Sequence, residues 1–393
     1  MIDINALRGQ FKKLYGSEPS IYFAPGSVNI IGEHTDYNGG FVLPCAINFG
    51  ICLAIAFNDD QRMRFQTNSF NYKADISLSE LNKKQNGEWV NYPLGILDQF
   101  VKRGVSMTKG IDMLFDGDIP ESVGLTSSAS MEMVTAVALN DLFETKLDKL
   151  MLVKMSEQSE DRFVEIKRGI MGPFVVAFGE KNTALYLNCR TLDFELIPLN
   201  LKNHVFVVMN SNKRSNVVDS KYKERISECK QALEALRTIK PYNDLSELTP
   251  EEFDQVGKVI IDPILYRRAR HVISENNRVK LAVSALQKSD FNTLGQLMND
   301  SHESLRHDYQ ITGAELDTLV NAARKIRGVL GASMTGTGLG GCALVLVEKR
   351  YVEALINKVG HAYESEIGRK AIFYLTSISD GASIISEVHQ QLP

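Results

Sequence analysis

The chain of 393 residues lacks most of the features that would place a sequence at once. Its five cysteines, Cys45, Cys52, Cys189, Cys229 and Cys342, are odd in number and scattered, with no C-x-x-C pair. That excludes a disulfide framework and a cysteine zinc site, and it predicts a reduced, cytoplasmic compartment. Basic charge is not in excess: 44 Lys and Arg stand against 48 Asp and Glu, for a net charge of −4. A nucleic-acid surface is therefore not expected. The best apolar run, Ile47 to Phe57, falls well short of the roughly 20 residues that a membrane-spanning helix needs. The amino-terminal stretch Met-Ile-Asp-Ile-Asn-Ala-Leu-Arg has no basic region followed by an apolar one, so no signal peptide is expected. No H-E-x-x-H, no G-x-x-x-x-G-K-[ST] and no H-R-D or D-F-G occurs, which sets aside zincins, Walker-type phosphate loops and protein kinases.

What remains is an ordinary globular composition, 44% hydrophobic and 23% charged, long enough for two domains or one large one. Three loops stand out. The first is Ala24-Pro-Gly-Ser-Val-Asn-Ile-Ile-Gly-Glu-His-Thr-Asp-Tyr-Asn-Gly-Gly40, where Glu33, His34 and Asp36 crowd between glycines. Two carboxylates and an imidazole so close together suit a polyhydroxylated ligand, and they also suit a solvated surface loop. The second is Pro120-Glu-Ser-Val-Gly-Leu-Thr-Ser-Ser-Ala-Ser130. It follows a strand-like run, Ile111 to Phe115, and enters a helix predicted over Ser130 to Phe143. A hydroxyl-rich turn at a helix start is either a normal N-cap or a phosphate cradle built on free N–H groups and the helix dipole. The third is Gly331-Ala-Ser-Met-Thr-Gly-Thr-Gly-Leu-Gly-Gly-Cys342, ahead of a strand over Ala343 to Val347. Its Gly336-x-Gly338-x-x-Gly341 spacing matches the dinucleotide pattern. Here, however, the strand comes after the glycines rather than before, so a nicotinamide or flavin site is rejected.

Between the loops, helices are predicted over Ile4 to Tyr15 (Leu7, Phe11 and Leu14 inward), up to about Val101, over Leu150 to Phe163, Asn216 to Leu236, Asp254 to Val283, Asp290 to Leu305 and Glu315 to Arg327. Strands are predicted over Ser20 to Phe23, Phe41 to Leu43, Ile47 to Phe57, Arg62 to Thr67, Val205 to Met209, Ile372 to Leu375 and Ala382 to Ile385. Phe174 to Phe178 and Thr183 to Leu187 read as a hairpin around Gly179. Strands dominate before Pro198 and helices after it. His271, His302 and His307 read as structural residues.

Taken together these stretches resemble one family. Ala24-Pro-Gly-x-Val-Asn-Ile-Ile-Gly-Glu-His-Thr-Asp-Tyr-Asn-Gly-Gly is similar to the galactokinase signature. Gly124-Leu-Thr-Ser-Ser-Ala-Ser resembles the phosphate loop of the GHMP kinases, and Met334-Thr-Gly-Thr-Gly-Leu-Gly-Gly-Cys their third motif. Trp89-Val-Asn-Tyr92, Asp219-Ser-Lys-Tyr-Lys-Glu-Arg225, Arg267-Arg-Ala-Arg-His271 and Ser301 to Tyr309 look like galactokinase as well. The resemblance covers almost the whole chain. It implies an α+β, two-domain GHMP kinase fold with the active site in the cleft between lobes. The domains would be 1–198, with the sugar and phosphate loops, and 199–393. It implies galactose held by Glu33, His34, Asp36 and Tyr222. It implies ATP held by Trp89, Tyr92, Gly124, Leu125, Thr126, Ser127, Ser128, Ala129 and Ser130, with Mg2+ on Ser128 and Glu160 and Gly336 to Gly341 closing behind. A monomer is expected.

The departures from the pattern fall together. Where the family has Pro-Gly-Arg-Val-Asn this chain has Ser27, and where it has Gly-Ile-Met-Asp-Gln-Phe this chain has Gly169-Ile-Met-Gly-Pro-Phe174. By the resemblance, that arginine and aspartate are the catalytic pair. Family Phe-Val-Gly-Val is Phe163-Val-Glu-Ile166 here, and Ser122, Thr126 and Ser333 also depart. The expectation is a protein that binds galactose or a related sugar, and MgATP, with kinase activity lowered or lost, as in a pseudoenzyme or sugar sensor. The alternative is an active sugar 1-kinase acting on the anomeric hydroxyl with a rearranged base. Glu165 with Arg168 would be the substitute pair in that case, against the plainer reading that both are exposed loop charges.

Overall fold

The computed structural model describes residues 2–69, 71–85, 89–120, 124–165, 169–213 and 218–385, with the backbone alone at 218 and 219. Ser122, Lys167, Arg168 and the side chain of Asp219 lie outside the described residues.

Alternating apolar residues build a six-stranded sheet in the order Ser383–Ile384, Ser20–Asn29, Pro44–Asn58, Gly110–Gly117, Arg62–Thr67, Ala74–Ser77. All neighbours are antiparallel except Arg62–Thr67 beside Gly110–Gly117. Helices Asn91–Lys102, Ser127–Leu142, Lys149–Ser159 and Met171–Phe178 cover one face, and their apolar residues join the sheet in one core. Helix Ile4–Tyr15 covers the other, burying Ile4, Leu7 and Phe11 against Ile21, Phe23, Cys52 and Leu114. Leu14, expected inward, is 42% exposed, in the turn where the helix ends at Gly16.

The second half carries a four-stranded antiparallel sheet in the order Val329–Thr335, Cys342–Glu348, His204–Asn210, Ile372–Leu375. Helices Val218–Arg237, Pro250–Val256, Pro263–Gln287, Phe291–Ser304, Gly313–Arg324 and Val352–Ile367 accompany it. A small sheet, Phe41–Val42, Thr183–Asn188, Phe194–Pro198, lies between. A shared apolar cluster joins Val28, Ile30, Leu43 and Leu125 from the first half to Phe206, Val208, Val279 and Leu344 from the second. Burial of this kind is the main cohesive force between lobes.

Several sequence expectations are corrected. Phe174 to Phe178 is not half of a hairpin: Met171–Phe178 is a helix, and Thr183–Asn188 pairs instead with Phe194–Pro198. Val175 and Val176 have strand-like side chains, but both are buried in the core. Pro173 falls in the helix's first turn, where a missing N–H costs nothing. Strand Val329–Thr335, unseen in the sequence, leads into the third glycine loop. Its Gly331 packs on a helix so closely that a Cβ would lie 2.1 Å from the Gly295 carbonyl oxygen. A strand does therefore precede those glycines. The dinucleotide reading fails because a strand, Cys342–Glu348, and not a helix, follows them. Helix Val352–Ile367 was also not foreseen.

Candidate active site

The three loops meet in one cleft of about 740 Å³. Glu33, His34, Asp36 and Tyr222 line one part of it. Trp89, Tyr92, Gly124, Thr126, Ser127, Ser128, Ala129 and Glu160 line another, and Gly336, Gly338, Gly340 and Gly341 face them. The cleft that the resemblance implied is thus assembled from stretches far apart in the chain.

The loop after strand Ser20–Asn29 is fixed from behind by helix Pro263–Gln287. Gly32 N–H donates to Glu275 Oε1 at 2.9 Å, and Phe41 N–H donates to Asn276 Oδ1 at 2.8 Å. His271 Nε2 donates to the Glu33 carbonyl at 3.1 Å, which leaves Nδ1 to accept from Ser304 Oγ at 2.9 Å. His271 is structural, as expected, and its role is to hold this loop. Thr35 Oγ1 donates to the Phe41 carbonyl and closes the turn, 2.7 Å. His34 takes a left-handed backbone, φ 64°, a conformation that persists in ordinary residues only where the surroundings enforce it.

Burial sets the charges. Desolvation pushes the Glu33 carboxyl up to about 8, although Gly336 N–H donates to its Oε1 at 2.9 Å. Desolvation likewise raises Asp36 to about 6 and lowers His34 to about 3 and His271 to about 4. At neutral pH the loop therefore presents neutral hydrogen-bonding groups, with Asp36 its ionised carboxylate.

Helix Ser127–Leu142 points its amino end into the cleft. Its N-cap residue, Thr126, is left-handed at φ 60°, and its side chain does not cap. Thr126 Oγ1 instead donates to the Leu125 carbonyl at 2.7 Å and meets Ser27 Oγ at 3.0 Å. The cap reading of the hydroxyl cluster is thereby excluded for Thr126, and the geometry suits an anion. Gly124 lies against Gly336: a Cβ on Gly124 would sit 3.5 Å from the Gly336 Cα, so the second and third loops are in contact. Two members of the expected nucleotide set turn away from the cleft. Leu125 is core, and Ser130 Oγ donates to the Pro25 carbonyl at 2.7 Å.

Ser27 is 1% exposed, beneath Thr126. Gly172 lines the cleft, and a Cβ there would meet Ala129 Cβ at 3.3 Å and Thr126 Cγ2 at 3.4 Å. Thr126 therefore touches Ser27 and adjoins the space a side chain at 172 would take. Glu165, the substitute base of the alternative reading, does not line the cleft. Its left-handed backbone, φ 66°, follows the turn Glu160–Val164, and its Oε2 pairs with Lys84 Nζ at 3.0 Å in solvent. The exposed-charge reading of Glu165 is the one the geometry favours. The sequence missed Lys213 and Asp116, both of which line the cleft. Lys213 Nζ pairs with Glu315 at 2.8 Å. The one available signal was position, since Asp116 is the next-to-last residue of strand Gly110–Gly117 and Lys213 lies three residues beyond strand His204–Asn210.

Family models agree with this geometry. Residues 9–57 match the galactokinase galactose-binding signature, 91–180 the GHMP kinases N terminal domain and 282–365 the GHMP kinases C terminal. A galactokinase of Clostridium acetobutylicum is 42% identical over 98% of this chain and 99% of its own length. One of Exiguobacterium sibiricum is 44% identical over 97% of each. The crystal structure of Lactococcus lactis galactokinase complexed with galactose superposes with a TM-score of 0.94 at 39% identity, over 97% of this chain and all of that one. Methanococcus jannaschii mevalonate kinase shares the fold alone, with a TM-score of 0.67 at 20% identity over 93% of this chain and all of its own.

Proposed function

Since this chain belongs to the galactokinase family of GHMP kinases, we propose that it binds galactose or a close relative beside MgATP. We further propose that it transfers the terminal phosphoryl group to the anomeric hydroxyl, at a rate lowered by two missing side chains. The observation that carries this is the single cleft in which Glu33, His34, Asp36 and Tyr222 face the open helix start at Thr126 and Ser127. The L. lactis relative with which the chain superposes was crystallised with galactose. The residue set also fits Mg2+. Ser128 and buried Glu160 face the cleft, and Mg2+ is held by one or two carboxylates together with substrate phosphates. Bound MgATP would supply the phosphoryl group. The chain's residues hold the sugar, offer helix N–H groups to the phosphates and cover the nucleotide with Trp89 and Tyr92. The two-domain division at residue 198 belongs to this reading, with strand Ser383–Ile384 crossing back to the first sheet.

Phosphoryl transfer depends on positioning and charge stabilisation, so a cleft that keeps its positioning keeps some rate. A positioned base contributes about 10²–10⁴-fold, and kinases turn over at roughly 1–100 s⁻¹, so turnover on the order of 10⁻² s⁻¹ is expected. A second reading, binding without turnover, is favoured by one contact: Ser27 Oγ meets Thr126 Oγ1 at 3.0 Å, and a side chain at Gly172 would also come against Thr126.

The test is ADP release with MgATP over a panel of hexoses, beside calorimetric binding of galactose and ATP. Galactose-dependent turnover on the order of 10⁻² s⁻¹ supports the first reading. Binding of both ligands with no sugar-dependent ADP supports the second. Absence of galactose binding overturns both.

A further inference from the structure

His34 is 4% exposed and lines the cleft, and its Nε2 has no hydrogen-bond partner among the described residues. A buried imidazole nitrogen without a partner costs about 1–3 kcal/mol, so a ligand group is the natural occupant. Whether Nε2 donates or accepts depends on the other nitrogen. Nδ1 lies 2.9 Å from Tyr37 Oη, Tyr37 Oη lies 2.7 Å from Tyr309 Oη, and Tyr309 Oη lies 3.3 Å from Cys229 Sγ. Tyr309 and Cys229 are fully buried, and the rings of Tyr37, Tyr222 and Tyr309 pack around the imidazole at 4.9–5.9 Å. The series reaches the Cys229 thiol, which Asn38 also meets by a side-chain hydrogen bond.

Each hydroxyl in this series has one proton to give. A phenol is a strong donor and a thiol a poor one, so Tyr309 donates to sulfur. Tyr309 oxygen then accepts from Tyr37. Tyr37 has no proton left, so its oxygen accepts from His34 Nδ1–H. The imidazole is neutral, so Nε2 keeps a lone pair, on a ring that lines the cleft.

From this we propose that Tyr37, Tyr309 and Cys229 are positioning residues that fix His34 as an acceptor, so that the site selects a sugar hydroxyl able to donate at that point. The proposal rests on the galactose reading above for its ligand, and on the hydrogen-bond series for its mechanism. It places sugar discrimination partly at Cys229, on the helix Val218–Arg237 and out of reach of any substrate.

Two measurements test it, and they fail separately. Nitrogen-15 NMR of the sugar-free protein, with the His34 signals assigned by loss in His34→Gln, reads the tautomer directly. The Nδ1–H form is expected in the natural protein, and a mixture of the two forms in Cys229→Ser, whose hydroxyl can donate to Tyr309 as readily as accept from it. A mixture of the two forms is expected in Tyr37→Phe, where the phenolic acceptor is gone. An Nε2–H form in the natural protein, or an unchanged tautomer in Tyr37→Phe, overturns the proposal whatever the ligand. Calorimetry then compares deoxygalactoses with deoxyfluorogalactoses, because fluorine accepts but cannot donate. At one ring position both analogues should bind about 10- to 100-fold more weakly than galactose. Tyr37→Phe should shrink that loss by about tenfold while the other positions keep theirs. A deoxyfluoro analogue that binds like galactose at every position overturns the acceptor assignment. Failure of galactose itself to bind would overturn the functional reading and leave the NMR result to decide the series.

Discussion

Thr126 meets Ser27 through its hydroxyl, and its methyl lies 3.4 Å from where a Cβ at Gly172 would sit, so it adjoins both positions that the resemblance marks as departures. Gly172 has no left-handed backbone to require glycine, so the missing side chain reflects composition and not strain. Gly172→Ala should therefore be close to neutral in thermal unfolding. A gain of up to about 1 kcal/mol from helix propensity is set against roughly 1 kcal/mol of crowding on Ala129 and Thr126. A Cβ at 172 is tightest against Ala129, at 3.3 Å, and the atoms beyond it have the Thr126 methyl beside them, so Gly172→Asp should fit better when paired with Thr126→Ser. A second prediction concerns Glu33. Its native pKa, about 8, lies above its unfolded value. The folded protein thus keeps a proton that the unfolded chain releases. Stability is fully present below about pH 4.5 and is lost as pH rises through 8, by an upper bound of ~5 kcal/mol. Asp36 acts in the same direction up to about pH 6, while His34 and His271, lowered to about 3 and about 4, act oppositely below about pH 6.5. Glu33→Gln should therefore gain on the natural protein between pH 5.5 and 8.5 in denaturant titrations. A constant difference would contradict this. The sequence carried the identities of Ser27, Thr126 and Gly172, but their contact joins residues about a hundred positions apart, which no local pattern reports.

Helix Pro263–Gln287 is the element on which the sugar loop depends. His271, Glu275 and Asn276 project from one stretch of it and hold Gly32, Glu33 and Phe41 by backbone hydrogen bonds. Glu275 also accepts from Ser301 Oγ at 2.7 Å and pairs with Arg278 at 2.7 Å. Removing one side of a buried pair costs about 3–5 kcal/mol. Glu275→Ala should thus lower the Tm by roughly 5 °C, from the entropy expected of a chain this size, and weaken galactose binding. Glu275→Gln, which keeps an acceptor, should recover much of both. Helices with clear periodicity were legible, among them Ile4–Tyr15 and Gly313–Arg324. Met171–Phe178 was not, because a fully buried helix with adjacent valines shows the same apolar run as a buried strand. Strand Val329–Thr335 was hidden by its glycine and small residues.

For the whole molecule, the carboxy-terminal segment ties the two halves. Ser379 N–H donates to Ala46, Gly381 to Gly179, Ala382 to Val176 and Ile385 to Ile21. A chain stopped after Thr376 should lose those bonds and the strand Ser383–Ile384 beside Tyr22 and Phe23. It should unfold in two thermal steps, the earlier one suppressed least by galactose. A single step at the natural Tm would contradict this. Family, fold and the meeting of the loops were readable from motif order, because those motifs are long and specific. The seating of Glu165 in solvent and the place of Lys213 in the cleft were not, since both depend on how a turn directs one side chain.

On the proposed reading, this cleft performs galactokinase chemistry slowly for want of two side chains. The most direct test is kcat, by ADP release with MgATP and galactose, for the natural chain and for the combined Ser27→Arg, Thr126→Ser, Gly172→Asp, Pro173→Gln variant. Sugar 1-phosphate is expected from both, with the variant faster by at least about 10²-fold and with similar galactose affinity. A natural chain that already turns over at ~1 s⁻¹ or more, or a folded, galactose-binding variant no faster than its parent, would contradict it.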